Sequence, residues 1–212
     1  MGAGRLVEQG IVASLAHPGG NITGLENNPL GMFGKRLELL KEAVPQISRV
    51  AFLFNPSNPA SLNLELPGFE TDARALGLQL QRVAVRHPDE FDAVFAAIVE
   101  SRTDALFIAD EETFYPHIQQ IMDFAATHRF PTVVGLRQFA EAGGLIAFSA
   151  SYREIEQRAA VYVDKILKGA MPGDLPIERA MQFELVINLK TAQALGLTVP
   201  PTVLFQADEV IR

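Results

Sequence analysis

Short, almost continuously apolar runs recur along the chain from residue 49 onward, and segments with a helical period separate them. Such runs are typical of strands in a parallel sheet covered by helices on both faces. The alternation predicts an α/β fold, a doubly wound parallel sheet with right-handed crossovers. The predicted strands are Arg49–Phe54, Leu78–Val85, Asp104–Ala109, Pro131–Gly135, Leu145–Phe148 and Phe183–Asn188.

The segments between these runs place apolar residues three and four positions apart, which predicts amphipathic helices. In Pro59–Leu76, the Pro67–Gly68 pair predicts a kink or break. The longest helix is expected over Tyr152–Lys168, with a buried side of Ile155, Ala159, Tyr162, Val163 and Ile166. Further helices are predicted over Gly31–Val44, Asp89–Glu100 and Phe114–His128.

Charge and composition exclude several classes of protein. The formal net charge is −7, which argues against a nucleic-acid binder because such a protein needs a basic surface. There are no cysteines and the four histidines show no ligand spacing, so neither thiolate nor histidine metal sites are expected. The phosphate-binding GxxxxGK[ST] and GxGxxG motifs are absent. No cofactor and no metal are therefore expected.

The first twenty residues lack a charged start followed by a continuous apolar run. They are therefore not predicted to form a signal peptide. No stretch approaches the roughly 18 apolar residues of a membrane-spanning helix. Taken alone, these features favour a cytoplasmic protein.

The first strand is followed by a polar turn that leads into a helix. In open α/β sheets, ligands bind outside the carboxyl ends of the strands. The turn begins at Asn55, and Ser57, Asn58 and Ser61 within it can offer donors to an anionic ligand at a helix N-terminus. An alternative is that Asn58 simply caps the next helix.

The third strand is followed by three adjacent carboxylates, Asp110, Glu111 and Glu112. They can bind a ligand ammonium group or a metal ion, although a hard cation needs carboxylates converging from separate strands. For Glu111 and Glu112, the alternative is an acidic cluster favoured by a helix dipole. Asp110, at the strand end itself, is the residue selected as a ligand contact.

Two further positions complete the set of candidate ligand residues. Gly135 ends the strand after these carboxylates, and Tyr152 follows the predicted strand Leu145–Phe148. Aromatic and hydroxyl groups at such a crossing suit a ligand. Ser151 has an alternative role as N-cap of the long helix, with Glu154 completing a capping box.

The sequence shows no arrangement of residues that is typical of a catalytic site. The sequence has no GxSxG elbow, no cysteine pair, and no histidine at a predicted strand end where a general base would lie. The chain is therefore not expected to be an enzyme.

Four segments closely resemble the ABC-transporter substrate-binding family that includes tryptophan- and phenylalanine-binding proteins. They occur in the family's order and extend from about residue 10 to the C-terminus. The segments are Val12–Leu25, Gly34–Ser61, Gln138–Leu145 and Ala159–Ile211.

This resemblance implies a type I periplasmic-binding fold, with two α/β lobes joined by three crossings and a small solute, often an aromatic amino acid, clamped between them. It also implies delivery to the membrane permease of an importer. Positions that match the family's ligand-side loops are Asn55, Ser57, Asn58, Ser61, Asp110, Gly135 and Tyr152. The crossings are expected near Gly24–Pro29, Gly143–Ser149 and Asp174–Phe183.

By the same resemblance, residues 1–27 are a remnant of lobe one with the first crossing, and residues 28–144 form lobe two. Residues 145–175 return to lobe one, and residues 176–212 hold the third crossing and the C-terminal segment. Family members carry a signal peptide and most of lobe one ahead of the segment that matches Val12. The chain is thus expected to be N-terminally truncated, with an incomplete second lobe.

An incomplete lobe predicts exposed apolar surface on Tyr152–Lys168 and Val12–Leu15, and hence instability, aggregation or a homodimer. The isolated chain is expected to bind solute weakly or not at all. The full-length parent is expected in the periplasm or, lipid-anchored, outside the cell.

Two alternatives to a solute-binding component of an importer stay open. One is an α/β enzyme or ligand sensor that uses the same strand ends, with Asp110 as an acid/base group. The other is a truncated remnant without function.

Overall fold

The structure, a computed structural model, describes residues 6–27, 31–58 and 66–212. It divides the chain into two units. The smaller unit is formed by Met1–Met32 and Ser149–Glu184, and the larger by Phe33–Phe148 and Leu185–Arg212.

Nine strands lie in the described part of the chain. They are β1 Leu25–Glu26, β2 Arg49–Phe54, β3 Gln79–Ala84, β4 Ala105–Ile108, β5 Thr132–Val134, β6 Ile146–Ala150, β7 Glu178–Arg179, β8 Phe183–Asn188 and β9 Glu209–Ile211.

Eight α-helices lie in the same residues. They are α1 Met32–Ala43, α2 Leu66–Ala75, α3 Phe91–Glu100, α4 Ile118–Thr127, α5 Arg137–Glu141, α6 Tyr152–Leu167, α7 Leu189–Leu195 and α8 Pro201–Gln206.

The larger unit is built on a seven-stranded sheet with the order β3-β2-β4-β5-β6-β8-β9. The pairs β2–β3, β2–β4, β4–β5, β5–β6 and β8–β9 are parallel. All six predicted strands are present within two residues of their predicted ends. The predicted α/β class with a mainly parallel sheet is confirmed.

Side chains of the central strands alternate between two cores because successive residues of a strand point to opposite faces. Phe52 and Phe107 lie in one buried cluster, whereas Leu53 and Ile108 lie in the other. The first cluster contains a group of four phenylalanine rings with centroids 4.6–5.8 Å apart, formed by Phe33, Phe52, Phe69 and Phe107. Helices cover both faces, as the continuous apolar runs predict.

The predicted break at Pro67 is not observed in the described residues. Helix α2 is described over Leu66–Ala75, so Pro67 and Gly68 lie within a helical segment. The preceding part of the predicted helix, residues 59–65, lies outside the described residues.

In the smaller unit, β1 and β7 form a two-stranded parallel sheet, with Leu25 opposite Glu178. Glu26 is buried and links two segments to this sheet. Its Oε1 accepts a hydrogen bond from the Leu6 N–H (2.9 Å), and its Oε2 accepts one from Arg179 Nε (3.0 Å). On the other strand, Arg158 Nε donates to Glu178 Oε2 (2.8 Å).

The pKa values in this unit follow from that ion pair. The hydrogen bond from Arg158 holds the pKa of Glu178 below its ordinary value, although burial opposes it. Burial, with the nearby Glu178 carboxylate, raises the pKa of Tyr162 to about 12. The Tyr162 hydroxyl donates to the Pro176 carbonyl oxygen, so Tyr162 stays a neutral hydrogen-bond donor at physiological pH.

Helix α6 buries only part of the face predicted for it. Ile155 and Tyr162 are buried, but Val163 is 55% exposed and Ile166 is 36% exposed. The prediction that Val163 and Ile166 are buried is therefore wrong. Within the described residues, the core under α6 consists of Leu25, Ala150, Ile155 and Ala180, which is too small to cover the adjoining side of the helix.

The predicted exposed apolar surface on α6 is therefore present. Val163 and Leu167 are exposed on the helix, Leu167 by 82%, and Met171 just beyond the helix is exposed as well.

No helix in residues 6–27, 31–58 or 66–212 has both the length and the apolar character needed to cross a membrane.

A single carboxylate links the starts of two central strands. Asp104 Oδ2 accepts hydrogen bonds of 2.8 Å from the Ser48 N–H, the Ser48 hydroxyl and the Arg49 N–H. Burial raises the pKa of Asp104, but these hydrogen bonds and the charge of Arg49 outweigh burial and hold the pKa below 3.8. Ionised Asp104 thus stabilises the edge where β2 and β4 begin.

We expect Asp104→Asn to lower the free energy of unfolding by about 1 kcal/mol at pH 7, because a charged acceptor of three hydrogen bonds is lost. A carboxyl group whose pKa is lowered by folding stabilises the protein above its unfolded pKa and loses that effect as pH falls through the folded pKa. The difference between the variant and the parent should therefore shrink below pH 3.8. Urea unfolding between pH 7 and pH 3 measures it.

Glu100→Gln is the matched control, since Glu100 is exposed at the end of α3. It should change stability by less than about 0.5 kcal/mol. An Asp104→Asn effect that stays constant down to pH 3 would contradict the assigned role of the ionised carboxylate.

Candidate functional site

Three neighbouring strands of the larger unit end at one edge of the sheet. The register places Leu53 opposite Ile108 and Phe107 opposite Val133, in parallel pairs. Because parallel strands present their carboxyl ends on the same side, the segments that begin at Asn55, Ala109 and Gly135 lie beside one another. The predicted first, second and third ligand loops are thereby brought together.

Glu111 connects the first two of these loops. Its side chain is buried. Oε1 accepts a hydrogen bond from the Asn55 N–H (3.3 Å), and Oε2 accepts one from the Asn58 side-chain amide (3.0 Å). The Asn55 side-chain amide donates back to Thr113 Oγ1 (3.4 Å). The two loops therefore form one hydrogen-bonded unit.

The first loop is also ordered internally. Asn55 Oδ1 accepts a hydrogen bond from the Ser57 N–H (2.8 Å), and the Asn58 N–H donates to the Asn55 carbonyl oxygen (3.1 Å). This is the local turn that asparagine side chains favour. Ser61, the fourth candidate in this loop, lies outside the described residues.

Glu111 and Glu112 have different surroundings, although an acidic cluster favoured by a helix dipole was the alternative for both in the sequence. Glu112 is exposed in the first turn of a short 3₁₀ helix, Glu112–His117, which fits an acidic residue at a helix start. Glu111 instead directs its carboxylate to the first loop. The helix-dipole interpretation of Glu111 is therefore replaced by a link between loops.

Asp110 forms an ion pair with a buried arginine from α1. Arg36 Nη2 donates to Asp110 Oδ2 (2.7 Å), and Arg36 Nε donates to the Phe148 carbonyl oxygen (2.7 Å). The Arg36 side chain is 1% exposed, whereas that of Asp110 is 29% exposed. One end of the pair is thus enclosed in the protein, and the carboxylate at the other end reaches the surface.

The ion pair fills the space in which a side chain at position 135 would lie. A Cβ atom at position 135 would lie 1.9 Å from Asp110 Oδ1 and 2.4 Å from Arg36 Nη2. The φ angle of Gly135 is outside the left-handed region, so the constraint is one of space and not of backbone conformation. Asp110 and Gly135, selected from sequence as separate strand ends, are in direct contact.

Arg36 was not selected from the sequence, although a signal for it exists. It lies three residues after Phe33 and four before Leu40, within the apolar stripe of α1. A charged residue in the stripe that a helix buries is rare unless the charge has a partner. The sequence alone does not name that partner, because Asp110 is 74 positions away.

Tyr152 belongs to the smaller unit, at the start of α6. Its hydroxyl lies 3.5 Å from the Asn27 side-chain amide. Ser151 caps α6 by accepting from the Glu154 N–H (3.4 Å), as predicted. The predicted capping box is incomplete, because the Glu154 carboxylate accepts from the Gln182 N–H (2.9 Å) and the Ser151 N–H donates to the Gln182 carbonyl oxygen (2.9 Å).

The chemistry of this edge suits a polar ligand more than a metal ion. Within the described ranges, no group of three or more histidine, aspartate or glutamate residues is arranged to hold a metal. The two neighbouring carboxylates have separate partners, Arg36 for Asp110 and the asparagines for Glu111. The partly exposed Asp110 carboxylate is placed to accept hydrogen bonds from a cationic donor.

We expect Glu111→Gln to lower the free energy of unfolding by about 1–3 kcal/mol, because one buried acceptor of the loop link is replaced by an amide donor. Urea unfolding gives the value. Glu112→Gln, the same change at the exposed neighbour, should alter stability by less than about 0.5 kcal/mol. Equal effects of the two substitutions would show that Glu111 does not link the loops.

Comparison with known proteins identifies the type of molecule that carries this edge. The sequence profile of a family described as "ABC transporter substrate binding protein" matches residues 1–211. A tyrosine-binding protein of Clostridioides difficile is 22% identical over 191 residues, 90% of this chain and 54% of that protein. The chain thus spans about half the length of this curated relative.

Two solved structures are similar over nearly the whole chain. A conserved domain protein of Vibrio cholerae is 26% identical with a TM-score of 0.87, covering 97% of this chain and 68% of that one. An ABC domain from Streptococcus pneumonia in complex with L-Trp is 25% identical with a TM-score of 0.89, and the match covers 99% of this chain and 70% of that one.

The fold is of the type I periplasmic-binding-protein kind. The family consists of solute-binding proteins and not of enzymes. Because its profile extends over almost every residue, the chain belongs to the ABC transporter substrate-binding protein family.

Proposed function

We propose that this protein binds an aromatic L-amino acid through the strand-end edge of the larger unit. The observation that carries the proposal is the Asp110 carboxylate, held at the carboxyl ends of the sheet by Arg36 and partly exposed. A carboxylate of this kind is a partner for the ammonium group that every free amino acid carries. Two relatives support the ligand class, one named for tyrosine and one solved with L-Trp.

The neighbouring loops supply further polar contacts in this proposal. Ser57 and Asn58 lie in the loop beside Asp110, and Asn55 shapes that loop through its hydrogen bond to the Ser57 N–H. Because Gly135 has no side chain, the Asp110 carboxylate can lie directly against it. Ser61 and, in the smaller unit, Tyr152 are retained as candidate contacts from the sequence.

The role that follows is that of the solute-binding component of an importer. The protein would bind its amino acid outside the cytoplasmic membrane, in the periplasm or attached to the cell surface, and deliver it to a membrane permease. Family membership supports this assignment. Closure on a ligand and docking on a permease require no chemical conversion of the solute.

An α/β enzyme or sensor that uses Asp110 as an acid/base group is the alternative of another class. Turnover of a bound solute, abolished by Asp110→Ala, would favour the enzyme. Saturable binding without turnover favours the transport component. A remnant without function would show neither.

The sequence predicts at most weak binding by this chain on its own, so the ligands are tested at millimolar concentration. There we expect L-tryptophan, L-tyrosine or L-phenylalanine to raise the midpoint of thermal unfolding, whereas L-leucine and L-glutamate leave it unchanged. A ligand that binds only the folded state stabilises it by about 2.7 kcal/mol at a concentration of 100 Kd. Asp110→Asn should weaken binding of the stabilising amino acid by about tenfold or more, since a charge-assisted hydrogen bond contributes about 1.5–3 kcal/mol. Calorimetric titration measures the affinity.

Glu112→Gln is the control, because it removes an exposed carboxylate two residues from Asp110 that is not among the candidate ligand contacts. It should leave the affinity within about twofold. No stabilisation by any aromatic amino acid at millimolar concentration, with a cooperative unfolding transition, would refute the proposed ligand class.

We also propose that the chain forms a homodimer through the apolar side of α6. Val163 is 55% exposed and Leu167 is 82% exposed, and together with Ile166 they form a stripe along one side of the helix. Exposed stripes of this kind are typical of interaction surfaces. A second copy presents the same stripe, which makes the surface self-complementary under twofold symmetry.

We expect the double substitution Val163→Glu and Leu167→Glu to shift the protein toward monomer, because two carboxylates would be buried at the contact. Sedimentation velocity over a hundredfold range of concentration measures the change. Phe205→Glu is the matched control, since Phe205 is 93% exposed on α8 of the larger unit. A parent chain that is monomeric throughout this range would disprove the dimer.

A further inference from the structure

Arg36 is an unusual residue for the position that it occupies. It lies among the apolar residues of α1, with its guanidinium group 5.6 Å from the centre of the Phe33 ring. It is among the most deeply buried side chains in the described residues. Burying a charge in such a place is costly unless every polar atom finds a partner.

The arginine is only partly satisfied. Nε and Nη2 have acceptors in Phe148 and Asp110, but Nη1 is buried and has no hydrogen-bond partner among the described residues. An apolar side chain of similar length would fill the same space without this cost. Buried ion pairs can often be replaced by apolar residues with no loss of stability, so stability is a weak explanation for Arg36.

The geometry instead relates Arg36 to the orientation of Asp110. Nη2 holds Oδ2 at 2.7 Å, and the hydrogen bond from Nε to the Phe148 carbonyl oxygen fixes the plane of the guanidinium group. Gly135 lies against Oδ1, where even a methyl group would collide. The carboxylate is confined from both sides while part of it stays exposed.

We propose that Arg36 is a positioning residue that holds Asp110 in the orientation needed to receive the ammonium group of an amino acid, with Gly135 leaving the room for it. This inference rests on the proposed function and assigns one part of the ligand to one subsite. A metal ion is a poor occupant, because Asp110 is a single carboxylate with one oxygen engaged by Arg36.

The subsite distinguishes solutes by their charge. An α-ammonium group offers three N–H donors to the carboxylate. An analogue without the amino group desolvates the accessible part of Asp110 without offering it a donor, which a site built around a hydrogen-bonding group rejects strongly. The Arg36–Asp110 pair therefore makes the protein selective for amino acids over the corresponding carboxylic acids.

The test compares L-tryptophan with 3-indolepropionate, which lacks only the amino group, on the parent chain and on Arg36→Met. Methionine retains an unbranched apolar side chain and suits an irregular buried space. The parent should prefer L-tryptophan by about tenfold or more. Arg36→Met should reduce that preference about tenfold, while its affinity for 3-indolepropionate stays within about twofold of the parent.

Two further variants separate positioning from a structural role. Gly135→Ala, which crowds both the Asp110 carboxylate and Arg36 Nη2 without removing either residue, should reduce the same preference. Adding Arg36→Met to Asp110→Asn should have no further effect on it, because the two residues act through one interaction. If Arg36→Met does not fold, Gly135→Ala and Arg36→Lys carry the test, with Arg36→Lys retaining part of the preference.

The outcomes separate the positioning role of Arg36 from the proposed binding of aromatic amino acids. Equal loss of affinity for both compounds in Arg36→Met would overturn the inference, since a structural role affects them alike. Equal affinity of both compounds for the parent would also overturn it while leaving aromatic ligand binding intact. Absence of binding by all aromatic amino acids would refute the proposed function, and the inference with it.

Discussion

The parallel pairing of β2, β4 and β5 is the constraint on which the candidate site depends. Because the three strands run in the same direction and in fixed register, the residues that follow them meet at one edge. Asn55, Asp110 and Gly135 are far apart in the chain but close there. Asp104 performs the corresponding task at the opposite edge, where it links the starts of β2 and β4.

Two carboxylates at this edge have divided roles. Glu111 is buried and its hydrogen bonds to the first loop hold the loops together. Asp110 keeps part of its surface accessible and is held by a buried arginine. A buried charge network of this kind contributes less to stability than its number of contacts suggests, because desolvation offsets the attraction. Its main effect is to fix geometry, which is what recognition of a small solute requires.

The smaller unit shows how far a local pattern can predict burial. The helical period correctly indicated that α6 has an apolar side, and Ile155 and Tyr162 are buried as predicted. Val163 and Ile166 belong to the same side by spacing, yet they are exposed. Periodicity identifies the residues that are able to be buried, whereas burial itself depends on whether another element lies against them.

The sequence by itself determined six of the nine strands in the described residues, the bounds of α1, α3 and α6 to within two residues, the α/β class and the family, because these depend on residue patterns within short segments. It also marked the strand ends where Asn55, Ser57, Asn58, Asp110 and Gly135 lie. Only the tertiary structure decided that Arg36 pairs with Asp110, that this pair fills the space beside Gly135, and that Glu111 joins two loops. These facts depend on contacts between residues tens of positions apart, which the register of the sheet creates and no local pattern encodes.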